Sequence, residues 1–131
     1  MVLSCIDPRF QPIVFRYLKK KNLIGKYSSF TITGSAIGVT ANKFKRWHKV
    51  FWDNFDTSLK LHNIKKLIVI NHQDCGAAKI INGNKEFSQG NERIVHRNSL
   101  QKIKKIFRKK YPKLSIELKL ISLNNKVETF K

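Results

Sequence analysis

The sequence predicts an α/β fold, with a mostly parallel central sheet of four to five strands and flanking helices. Two observations lead there. Short runs rich in apolar residues at 2–5, 29–33 and 67–70 read as strands, and longer stretches of helical periodicity separate them. The run 67–70 carries no polar side chain, as expected of a central parallel strand covered on both faces.

In chain order, Val2 begins a short buried strand, and Asp7, pushed towards an extended conformation by Pro8, ends it in a bend. Pro12 suits a first helical turn. Ile13, Val14, Tyr17 and Leu18 follow at helical spacing until Gly25 stops the element. The second strand, 29–33, puts Phe30 and Ile32 on one face, and Gly34 to Gly38 reads as a flexible loop. From Thr40 as N-cap, a long helix is expected to about Leu61, with Phe44, Trp47, Phe51, Phe55 and Leu59 along one face. That stripe reads as core, with part of it suited to a subunit interface. After the strand 67–70, a short helix over 77–81 ends at Gly83, and 84–90 is a polar loop. A helix over 91–110 turns Leu100, Ile103, Ile106 and Phe107 inward, with Ile94 a poorer fit, and Pro112 closes it. Ile116, Leu118 and Leu120 alternate with Glu117 and Lys119 in a fourth strand, and Asn124-Asn125 turns the chain into an edge strand through Val127.

Length and composition bound the rest. The 131 residues, 41% hydrophobic, suit a single globular domain over 1–131, with no repeat and no linker. No apolar run approaches the roughly 20 residues of a membrane span. The opening residues lack a basic segment followed by an apolar one, so the expected location is cytoplasmic. A reducing compartment favours metal binding or catalysis by the two cysteines over a bridge between Cys5 and Cys75. The net charge of +19 would attract nucleic acid or an anionic surface. Most Lys and Arg are scattered, however, which favours compositional bias over a nucleic-acid partner. The dense run Lys102, Lys104, Lys105, Arg108, Lys109 and Lys110 is the exception and forms one basic helix face.

Both cysteines sit in the two stretches that carry chemistry, Ser4-Cys5-Ile6-Asp7-Pro8-Arg9 and Asn71-His72-Gln73-Asp74-Cys75-Gly76. Each follows an expected strand, where an open α/β sheet presents its functional crevice. Cys5, His72 and Cys75 would supply two thiolates and one imidazole, a zinc set that leaves a fourth position for water or substrate. Two anionic donors make the bound water less acidic than three imidazoles do, so activity is expected above neutral pH. Asp7 can accept a hydrogen from the nucleophile and aim it, and Arg9 can hold Asp7 by a two-point ion pair. Gly76, Ala77 and Ala78 are small enough to start a helix close beneath the metal. His48, His62 and His96 lie outside both motifs and read as exposed spectators rather than proton relays.

Cys-x-Asp-x-Arg at Cys5, Asp7 and Arg9, followed by His-x-x-Cys-Gly at His72, Cys75 and Gly76, resembles the zinc site of the β-class carbonic anhydrases. The likeness covers about residues 2–81. It implies hydration of CO2 to bicarbonate by a zinc-bound hydroxide, with Zn2+ held by Cys5, His72 and Cys75. It also implies a homodimer or larger assembly. In that family the aspartate either pairs with its arginine or ligates the metal, and the sequence leaves both open for Asp7. Two other readings keep the same residues: a hydrolase of a CO2-like molecule such as carbon disulfide, and a non-catalytic, zinc-stabilised basic binding protein.

Overall fold

In the computed structural model, which describes residues 1–131, the expected strands and helices alternate as β1 (Val2–Ser4), α1 (Gln11–Lys20), β2 (Ser29–Thr31), α2 (Ala36–Thr40), α3 (Lys45–His62), β3 (Lys66–His72), α4 (Gly76–Asn82), α5 (Gln89–Lys110), β4 (Ser115–Ile121) and β5 (Val127–Phe130). The strands form one mixed sheet in the order β2-β1-β3-β4-β5, parallel except for β5, which pairs antiparallel with β4. From β1 the chain crosses through α1 to β2 on one side, then returns through α2 and α3 to β3 on the other. Adjacent β1 and β3 therefore flank the switch point, and a crevice opens beyond their carboxyl ends.

Helices cover both faces because β3 is apolar on both. Leu67 and Val69 pack with Phe51 and Phe55 of α3 and Leu100, Ile103 and Phe107 of α5. Ile68 and Ile70 face the opposite way, against Phe10 and the α1 residues Ile13, Val14 and Leu18. Phe51, Phe55 and Phe107 are wholly buried, each contributing about 1.5–3 kcal/mol. The two-residue period of β3 continues past its apolar part. It sends Asn71 towards α5 and His72 towards Phe10, whose ring stacks on the imidazole at 3.9 Å.

Two expectations are corrected. The segment 34–38 is not an open loop: Ala36 to Thr40 form the buried helix α2. The glycine-rich composition there reflects tight packing, since a Cβ on Gly34 would lie 2.6 Å from that of Ala77 and Gly34 has φ +76°. Thr40 does not cap the long helix. Its hydroxyl donates to Ala36 O at 2.6 Å inside α2, and α3 starts only at Lys45, after a short 3-10 turn. The aromatic stripe divides accordingly. Phe51 and Phe55 are core, whereas Phe44 and Trp47 stack on each other, half-buried. Ile94, the poorer fit in α5, points to solvent. No helix is long and apolar enough to cross a membrane.

Candidate metal centre

Cys5 follows β1, His72 ends β3 and Cys75 caps the start of α4, so three segments deliver one donor each to the switch-point crevice. All three side chains are buried, and their ligand atoms lie within 4.8 Å of one another. Zinc to sulfur bonds of about 2.3 Å put two donors of one tetrahedral ion about 3.8 Å apart, so small adjustments close the set.

The donor chemistry fits a metal. His72 Nδ1 donates to the Gln73 carbonyl at 2.8 Å, which directs the lone pair of Nε2 into the site. That Nε2 is buried with no hydrogen-bond partner, which would be costly if nothing ligated it. Burial pulls the imidazole down, but the nearby Cys5 sulfur, the Gln73 carbonyl and the Asp7 carboxylate together outweigh this and leave it raised. The two sulfurs are opposed: the Cys75 hydrogen bond pushes the Cys5 thiol well below its usual range, and the same contact with burial pushes Cys75 up. The Cys5 sulfur also accepts the Gly34 N–H at 3.2 Å. Both cysteines are free in this structure.

Asp7 is paired with Arg9. The guanidinium donates from Nε to Oδ1 at 3.1 Å and from Nη2 to Oδ2 at 2.7 Å, and the Arg9 N–H adds a bond to Oδ1. These contacts hold the Asp7 carboxyl below the usual carboxylate range. Asp7 Oδ2 lies 3.9 Å from His72 Nε2. Arg9 also reaches Asp74, through Nη1 to Oδ2 at 2.7 Å and through Nη2 to the carbonyl at 3.0 Å. A cleft of about 540 Å³, walled by Ile6, Thr33 and Ile80 beside these residues, opens the centre to solvent.

The five residues singled out from the sequence therefore converge. The reading of the other histidines needs correction. His62 is exposed and His48 donates to Ala41 O, but His96 is fully buried beneath the centre. Glu92 and Asn71 join it there, and none of the three was anticipated. The signal was the α5 stripe itself: extended towards the helix start from Phe107, Ile103 and Ser99, it runs through His96 and Glu92.

Fold and site together define an α/β protein with a Cys/His/Cys candidate metal centre at the carboxyl edge of a mostly parallel sheet. A family model described as "Putative carbonic anhydrase" matches residues 1–129, and the chain belongs to that family. An uncharacterized protein of Rickettsia conorii is 27% identical over 129 residues, which cover 98% of this chain and 69% of that protein. One from Rickettsia bellii is likewise 27% identical, with 98% and 79% covered. Among solved structures, the carbonic anhydrase of Streptococcus mutans superposes with a TM-score of 0.64 at 15% identity, covering 99% of this chain and 80% of that one. The β-carbonic anhydrase CcaA gives 0.69 at 13%, with 99% and 78% covered. At such identities the likeness is one of fold, and it extends over the whole sheet.

Proposed function

We propose that this chain is a zinc lyase acting as one domain and interconverting CO2 and bicarbonate. The observation that carries the reading is the buried, unpartnered Nε2 of His72 beside two free cysteines, at the floor of an open cleft. Cys5, His72 and Cys75 would hold Zn2+, which supplies a Lewis acid that makes water nucleophilic. Asp7, kept ionised by Arg9, accepts a hydrogen from the nucleophile and orients it. Arg9 is held by Asp74 as well, so it fixes Asp7 at one angle to the cleft. Ile6 and Ile80 give the cleft the apolar wall that a small, neutral, linear substrate needs.

Assembly as a homodimer or larger belongs to the same reading. A solved neighbour from Sordaria macrospora is tetrameric, and Ile6 and Ile80 remain exposed at the cleft mouth. Two free cysteines suit a reducing, cytoplasmic setting.

Stopped-flow CO2 hydration on zinc-loaded protein, with metal analysis on the same sample, tests the reading. The expected result is stoichiometric zinc with hydration that Asp7→Ala and Cys75→Ser abolish. Stoichiometric zinc without hydration overturns it, and turnover of carbon disulfide alone would move the assignment to a hydrolase.

A further inference from the structure

We propose that Glu92, held in place by His96, is a positioning residue for the metal ligands, gripping the Cys75 peptide from the core side. The inference rests on Cys5, His72 and Cys75 holding a metal and goes beyond the ligand set.

The proton positions in the buried chain follow from its geometry. Asn71 Oδ1 accepts the Ala36 N–H at 3.1 Å, which fixes the amide orientation. Its Nδ2 then donates to Ser99 Oγ at 3.2 Å and to His96 Nδ1 at 3.0 Å. With Nδ1 an acceptor, the ring proton sits on Nε2, which faces Glu92 Oε1 at 3.3 Å. The same Oε1 accepts the Cys75 N–H at 2.9 Å. His96 is completely buried, and in this tautomer both of its ring nitrogens have partners.

The Asp74–Cys75 peptide is thereby gripped at both ends. Arg9 takes its carbonyl from the cleft side and Glu92 takes its N–H from the core side. Asp74 has φ +56°, a left-handed conformation that non-glycine residues seldom adopt, and the two grips hold this turn. The turn delivers the Cys75 sulfur beside His72 and Cys5. The chain also reaches the other sulfur: Asn71 anchors Ala36, and two residues earlier the Gly34 N–H donates to Cys5 Sγ. A buried carboxylate is a costly occupant of a helix face that otherwise packs Leu100, Ile103 and Phe107. Its pairing with a ligand's own peptide accounts for its presence there.

Zinc affinity, measured by competition with a chromophoric chelator, and the sulfur-to-cobalt absorption of the cobalt(II)-loaded protein test the role. Glu92→Ala is expected to weaken zinc binding by roughly 10- to 100-fold and to shift the cobalt bands, with helix content unchanged. Glu92→Gln keeps an acceptor oxygen without the charge and should recover part of the affinity while still shifting the bands. A merely structural role would lower thermal stability and leave the cobalt spectrum alone. Should the alanine variant not fold, the glutamine variant decides. Wild-type affinity and spectrum in the folded variants overturn the proposal. Zinc-loaded wild type without CO2 hydration overturns the proposed reaction and leaves the role of Glu92 standing, whereas wild type that binds neither metal overturns both.

Discussion

At the carboxyl end of the parallel strands, Cys5, Asn71, His72 and Cys75 are buried, and bonds distant in sequence hold them: Gly34 to Cys5, Ala36 to Asn71, Glu92 to Cys75. At the amino end of the same strands lies a hollow of about 400 Å³, bordered by Tyr17, Lys21, Lys26 and Lys65. There the polar groups are largely exposed, and the main pairing is Lys66 with Glu117 at 2.6 Å, open to water on both sides. Both ends offer space and charge. They differ in that one converges desolvated donors on a single point and leaves one of them, His72 Nε2, without a partner. Volume does not mark the site; uncompensated burial does.

Substitutions at each end put numbers on that contrast. The largest effect is expected from Cys75→Ser at the carboxyl end, which should abolish stoichiometric zinc in metal analysis and CO2 hydration with it. Arg9→Ala comes next. It frees both Asp7 and the Asp74 carbonyl, and kcat/KM should fall by about 10²- to 10⁴-fold. Urea unfolding should change by less than about 1 kcal/mol, because the Arg9 ion pairs are exposed. Equal losses in activity and stability would show that Arg9 acts only as a brace.

Asn71→Leu tests the buried chain. It leaves the Ala36 N–H and His96 Nδ1 unpaired and should cost about 2–4 kcal/mol in urea unfolding. The smallest effect belongs to the amino end. Glu117 is lowered, chiefly by its Lys66 hydrogen bond, so its contribution is present above the ordinary carboxylate range and is lost as pH falls through the folded value. Glu117→Gln should therefore cost under about 1 kcal/mol near neutrality, and the difference from wild type should vanish in acid. A cost at Glu117 equal to that at Asn71 would erase the distinction between the two ends.

The parts of the site legible in the sequence are those that sit in contiguous motifs. Asp7 and Arg9 are two residues apart, and His72 and Cys75 three, so each pair shares one bend of chain after a strand. Glu92 and His96 were obscured because charged residues crowd α5, where a buried acid looks like a solvent-facing one. The α2 segment was misread for a related reason. Gly34 and Gly38 suggest freedom, whereas the chain uses them to bring backbone against Ala77 and Thr33.

From its order of residues alone, the chain determined the alternation of strands and helices, the apolar β3 and the three candidate donors, because periodicity and motif spacing are local properties. The tertiary structure decided the pairing order of the strands, and so the meeting of Cys5 with His72 and Cys75. It decided that Asp7 pairs with Arg9, and it brought Glu92 to the Cys75 peptide. Those outcomes depend on which helix crosses which face of the sheet, and no short window of sequence carries that information.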